Sequence, residues 1–361
     1  MTDPNVHDDI RRATTLPGTF HTDPRNHEIV RDRVFARSWQ YVADEADIRT
    51  PETALPLTLL PECLDEPIVL TRDANDRIHC LSNVCTHRGA IVAESPGRRS
   101  CLTCRYHGRR FELDGRFRSM PEFKETEDFP TSKDDLHRLE VETWRGFVFA
   151  AIEAPHPFSE LVAEMDRRVR WMPVEEARHD PALSRDYLVK ANWALYCDNY
   201  LEGFHIPFVH AALNDALDYG AYETETLPHG VLQLGVTRGG EDTFDIPAGE
   251  PDHGRDIGAY YYWLWPNVMF NFYPWGISLN IIRPLSHHLT RVSFRTYVWD
   301  ESRLGTGAGA EIDRVEREDE EVVESVQRGL RSRFYDRGRF SPNREQGVHH
   351  FHHMLARAVR D

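Results

Sequence analysis

The sequence predicts an α+β protein in two parts, a small antiparallel β domain ahead of a larger domain that mixes sheet and helix. Three observations carry that reading. Between Tyr41 and about Ala151, short apolar runs alternate with turn residues. At Pro155-His156-Pro157 this pattern stops. Beyond it, β-rich runs share the chain with helical stretches. The expected division is 1–39 as a helical segment packed on the second domain, 40–153 as the β domain and 154–361 as the mixed domain.

Each element has a local cause. Over 26–39, Ile29, Val30, Val34 and Phe35 fall on one side, which predicts a helix. The runs Pro67–Thr71, Ile78–Leu81, Arg110–Leu113 and Gly146–Ala150 predict strands. Asp73–Asp76 and Asp114-Gly115 predict hairpin turns. Helical periodicity returns around Leu161–Met172. Residues 238–258 are polar and rich in Gly, Pro and Asp, which predicts a mobile loop, and Leu304–Gly309 predicts a second flexible connection. Two helices close the chain, over about 311–334 and 343–359.

Composition excludes several classes. The 361 residues are 40% hydrophobic and 28% charged, enough for two cores. The net charge of −16 disfavours nucleic acid and anionic membranes as partners. Lysine occurs only at Lys124, Lys133 and Lys190, as expected for salt adaptation or GC-rich coding. Six cysteines in this length do not make a disulfide scaffold. The polar start and the lack of a long apolar run point to a reducing cytoplasm, with no membrane span.

Two short clusters carry chemistry. Cys85-Thr86-His87 and Cys104-Arg105-Tyr106-His107 are separated by sixteen residues. Each loop offers one thiolate and one imidazole, the ligand set of a Rieske [2Fe–2S] centre. One iron takes Cys85 and Cys104; the other takes His87 and His107, which face outward. Gly89 and Gly108 follow the two motifs, and glycine there allows close backbone approach and amide donation to sulfides. A Cys2His2 zinc site is the competing reading, helped by Cys101-x-x-Cys104. Zinc sets usually group like ligands, however, and here Cys and His alternate.

A second metal site lies in Asn192–His210. Glu202 and His205 are three apart, so they are expected to share a helix face. His205 and His210 are five apart, which an unbroken helix would turn away from each other. Pro207 breaks the helix, so His205 ends it and His210 returns from the following turn. Two imidazoles and a carboxylate suit a mononuclear Fe(II) that activates O2. The carboxylate is expected from the acidic run Glu318–Glu324, and charge alone does not choose among its members.

Together these motifs resemble the oxygenase (α) component of the Rieske non-haem iron oxygenases, over nearly the whole chain. The resemblance implies an N-terminal Rieske domain and a helix-grip α+β catalytic domain. It implies Cys85, His87, Cys104 and His107 as cluster ligands, and His205, His210 and Asp319 as ligands of the mononuclear iron. Asp319 is singled out by its place five residues before Glu324. Glu202 matches an acidic residue that bridges the two metal centres, where the family often has Asp. The resemblance further implies a head-to-tail homotrimer, with the working pair of centres split between neighbouring chains. Electrons then come from an NAD(P)H-dependent reductase, with or without a ferredoxin.

Tyr260–Trp275 is dense in aromatic residues. Most belong in a sheet core, and some are expected to line a cavity able to box a cation or enclose a flat ring. The tail from Val326 to His352 resembles the branch with choline, carnitine and glycine-betaine oxygenases, which implies hydroxylation or N-demethylation of a quaternary ammonium compound. Aromatic-ring dioxygenation is the alternative within the family. Outside it stand an electron-transfer protein with only the Rieske centre, and a zinc-binding module. His349, His350, His352 and His353 are expected on a partly exposed helix face, not at a third metal.

Overall fold

The structure is a computed structural model that describes residues 4–360. It divides into two compact units, 36–155 and the remainder.

The unit 36–155 is built on a seven-stranded antiparallel sheet. One of its inner strands, Glu66–Arg72, pairs with Thr53–Leu59 on one side and Ile78–Ser82 on the other. Ile68 and Leu70 enter one apolar cluster, while Val69 enters another with Leu81, Cys85, Cys104 and Phe111. Both faces of this strand are therefore buried, which explains why it reads as an unbroken apolar run rather than an alternating one. Asp73–Asp76 closes the hairpin, with Asp76 at φ 66°. Asp114-Gly115 turns the chain between Arg110–Phe111 and Phe117–Ser119 in a separate three-stranded sheet. The expected strand Arg110–Leu113 is thus two residues long before the turn begins.

The other unit holds a second seven-stranded antiparallel sheet, from Arg178–Val189 at one edge to Glu223–Leu227 at the other. Long helices pack against it: Phe158–Val169, Ile312–Gly329 and Gln346–Arg360. This is the α+β class and the helix grip expected. The N-terminal helix starts earlier than expected, at Pro24, because Asp23 caps it and proline suits the first helical position. It ends at Arg33. Phe35 then packs edge-on against Trp193, which meets Phe351 of the last helix.

Residues 238–258 correct the reading of a purely mobile loop. Asp252 lies within it and is 3% exposed. Arg168, on the buried face of Phe158–Val169, binds Asp252 at 2.8 and 3.1 Å and Glu225 at 2.9 Å twice. Tyr260 donates a further bond to Asp252 at 3.1 Å. Removing the guanidinium takes away the two shortest bonds to the buried Asp252 and leaves it only Arg255, at 3.2 Å, and the Tyr260 hydroxyl. Arg168→Leu is expected to cost about 3–5 kcal/mol of stability, read by urea denaturation at neutral pH.

His352 corrects a second expectation. His349, His350 and His353 are half-buried, but His352 is 1% exposed. Its Nδ1 accepts from the backbone N–H of Leu16 at 3.0 Å, and its Nε2 faces Asp198 at 2.9 Å. It joins the N-terminal segment to the core.

Candidate metal centres and active-site cavity

The two Cys/His loops are near copies of each other. Cys85 N–H donates to Ala90 and Cys104 N–H to Arg109, both at 2.8 Å. Gly89 and Gly108 donate back to the carbonyls of Cys85 and Cys104 at 2.9 and 3.0 Å. Both glycines sit at φ near +71°, which L side chains avoid. Their amides are thus spent on closing the loops, so they are not the sulfide donors expected from sequence. The glycines are required by backbone conformation instead. Cys85 and Cys104 are buried, His87 is half-buried and His107 exposed. The imidazole rings lie 4.8 Å apart, and Tyr106 lies against His107 at 3.8 Å. Beneath the loops Arg109, 2% exposed, binds Asp134 at 2.7 Å. Burial pushes the Cys85 thiol up, and Arg109 opposes that shift. Two buried sulfurs behind two outward imidazoles fit the donor set of a [2Fe–2S] cluster. Cys101 is half-buried, its sulfur 3.7 Å from the Thr103 hydroxyl.

The second site forms where the helix Trp193–Tyr200 ends. That helix stops before Glu202, so Glu202 and His205 do not share a helix face as expected. Glu202 instead caps the turn: one carboxylate oxygen accepts from the backbone N–H groups of Phe204 and His205. The other lies 2.6 Å from His205 Nδ1. His205 begins, rather than ends, a helix: the short Ile206–Val209, with Pro207 in its first turn. His210 follows at its end. Asp319, from Ile312–Gly329, brings Oδ1 to 3.4 Å from His205 Nε2 and 3.0 Å from His210 Nε2. One ligand atom from each of the three lies within 4.8 Å of the others.

The surrounding groups orient these three. Glu318 holds His210 Nδ1 at 2.8 Å, and Asn199 donates to Asp319 Oδ1 at 2.6 Å. Each imidazole therefore turns Nε2 inward while a carboxylate holds Nδ1, the usual support of a metal-ligating histidine. Burial lowers the His205 pKa, but Asp319 and Glu202 outweigh it and raise it to about 10. Burial acts upward on Asp319, yet the two imidazoles hold its carboxyl down at about 2. The carboxylates that hold these imidazole protons would equally face a divalent cation bound in their place. Asn199, Glu316 and Glu318 were not singled out from sequence. Glu316, Val323 and Gln327 are buried along one stripe of this helix and the half-buried Asp319 falls on the same face, a periodicity that points to both acids.

A cavity of about 110 Å³ opens beside this site. Tyr200, Tyr222, Tyr261, Tyr273 and Phe294 contribute to its wall. Of the aromatic run, Tyr261 and Tyr273 line the cavity, while Tyr260, Trp263, Phe270 and Phe272 are buried in the body of the unit.

Residues 38–130 match the Rieske [2Fe-2S] domain, and 167–361 match the ring hydroxylating alpha subunit catalytic domain. The chain belongs to the Rieske non-haem iron oxygenases. Choline monooxygenase of Arabidopsis thaliana is 33% identical, covering 96% of this chain and 83% of the plant protein. The carnitine monooxygenase oxygenase subunit of Escherichia coli K12 is 28% identical over 97% and 95%. A crystal structure of a quaternary ammonium Rieske monooxygenase with L-carnitine superposes with TM-score 0.74 at 24% identity, over 99% and 97%. Naphthalene 1,2-dioxygenase from Rhodococcus sp. does so with 0.70 at 16%, over 96% and 94%. This Rieske oxygenase therefore carries a [2Fe–2S] domain and a mononuclear-iron catalytic domain. Among the described residues, no helix is long and apolar enough to cross a membrane.

Proposed function

We propose that this Rieske oxygenase hydroxylates or N-demethylates a small quaternary ammonium compound, using O2 and electrons from an NAD(P)H-dependent reductase, with or without a ferredoxin. The observation that carries the reading is the cavity wall. It combines tyrosine and phenylalanine rings with Glu202, Glu316 and Asp319, and among its described lining residues there is no Lys or Arg. Aromatic faces and carboxylates attract a permanent cation; a neutral arene has no use for the charge. The names of the choline and carnitine relatives agree with it.

In this reading the domain over 40–153 carries the cluster on Cys85, Cys104, His87 and His107, and 154–361 carries Fe(II) on His205, His210 and Asp319. The 1–39 segment packs on the latter. Bound there, the iron supplies O2 activation. The chain's own groups set the geometry. Glu202 and Glu318 fix the imidazole tautomers, Asn199 fixes the Asp319 rotamer, and the ring wall excludes bulk water around the substrate. Glu202 also bridges to the cluster of a neighbouring chain in a head-to-tail homotrimer, which a heterologous contact closes into a ring. The exposed rings of Phe204 and Phe208, which flank His205, and of Tyr106, beside His107, suit such a contact. A cytoplasmic setting keeps the thiolates reduced.

Choline, L-carnitine, glycine betaine and naphthalene, each given to the reductase-coupled enzyme, test the substrate. Product by mass spectrometry is expected from a quaternary ammonium compound. Oxidation of naphthalene alone overturns the reading.

A further inference from the structure

Glu316 differs from the other acids of the cavity wall. It lies one turn before Asp319 and is 3% exposed. Tyr196 donates to its Oε2 at 2.6 Å. Its Oε1 is buried and has no hydrogen-bond partner. Gln233, also on the wall, has a second orphaned acceptor at Oε1, while its Nε2 donates to the Tyr200 carbonyl at 2.6 Å. Buried acceptors without donors are rare in folded proteins and point to a ligand that brings positive charge or a proton.

Four of the donors nearby are committed elsewhere. Asn199 donates to Asp319, Tyr196 to Glu316, Tyr200 to Asn271, and Asn271 to the Ser278 carbonyl. The wall is thus open on its acceptor side and closed on these donors. Rings alone would welcome any quaternary ammonium group, including one that carries its own carboxylate. A zwitterion's carboxylate would need a basic or donating partner, and the described lining residues offer no Lys or Arg for it.

We propose that Glu316 is the charge-reading residue of this cavity, selecting a trimethylammonium cation that carries no carboxylate of its own. The proposal rests on the quaternary ammonium reading above. Burial, reinforced by Asp319, holds the Glu316 carboxyl well above the usual carboxylate range. A cation seated at Oε1 supplies the positive partner the carboxylate lacks. The proton leaves to solvent as the cation enters, so the charge of the cavity is unchanged.

Calorimetric binding to the anaerobic holoenzyme tests this with three probes: choline, its neutral isostere 3,3-dimethylbutan-1-ol, and L-carnitine. Wild type is expected to prefer choline to each of the others by at least about tenfold. Glu316→Gln is expected to shrink the choline-to-isostere ratio by at least about tenfold, with the Rieske absorbance and iron content unchanged. Glu316→Asp keeps the charge and is expected to keep most of the preference. A wild-type ratio in Glu316→Gln, or equal losses in Glu316→Gln and Glu316→Asp, overturns the role of Glu316 and leaves the proposed function standing. Preference for carnitine in wild type overturns the exclusion of carboxylates. A wild type that does not prefer choline to its isostere overturns the charge reading whether or not the variants fold. Failure to bind either choline or carnitine overturns the quaternary ammonium reading as well.

Discussion

Glu202→Gln is expected to keep both metal centres and to lower turnover about 10–100-fold, the usual scale for removing a group that supports a metal ligand. The carboxylate serves two sets of donors with two oxygens. One accepts from the turn's N–H groups at Phe204 and His205, and the other holds His205 Nδ1 at 2.6 Å. Glutamine has one acceptor for both. Iron on Nε2 forces a proton onto Nδ1, so the amide oxygen must turn there and its NH2 must face the backbone donors. The turn then loses its cap, at about 1–3 kcal/mol of stability. Iron analysis and the visible spectrum check retention of the metals. Stopped-flow reoxidation of the reduced cluster, with substrate and O2 present, checks the bridge. Near-wild-type reoxidation with slow turnover would leave Glu202 a purely structural cap.

The parts of this chain that sequence made legible are those whose cause is local. Each cluster loop encodes its ligands, its closing glycine and its turn within a few residues, so Cys85 to Gly89 and Cys104 to Gly108 could be read directly. His205 and His210 were legible through Pro207, although the helix stops at Tyr200 and a new one starts after His205. What was not legible depends on distant partners. Asp252 reads as a polar loop residue until Arg168, 84 positions earlier, is seen to bury it. His352 reads as a half-exposed helix residue until the backbone of Leu16 arrives to donate to it. Within the acidic helix, resemblance selected Asp319 where charge could not. The stripe of Glu316, Asp319, Val323 and Gln327 would have served as a physical reason, since those positions share one helix face. Glu316 itself fell outside the run considered, because an acid among acids reads as solvated.

Asp319→Ala is expected to abolish turnover and remove the mononuclear iron while the Rieske absorbance stays at its wild-type value. The contrast with its neighbours makes the experiment decisive. Glu318 is engaged with His210 Nδ1 on the outer side of the ring, and Glu324 accepts from the Lys190 backbone N–H at 2.9 Å. Neither can swing to the space between the two Nε2 atoms without leaving a partner behind. Among the described residues, Asp319 alone places an oxygen within 3.0 and 3.4 Å of the two imidazoles. Without it, two neutral imidazoles face a divalent cation with no ligating negative charge, and iron affinity should fall well beyond the about 10–100-fold lost when a supporting residue is removed. Glu318→Gln, by comparison, still offers His210 an acceptor and should fall within that range. Iron counted before and after mild chelation separates the two variants. Equal retention of iron in both would mean that the third ligand is not Asp319.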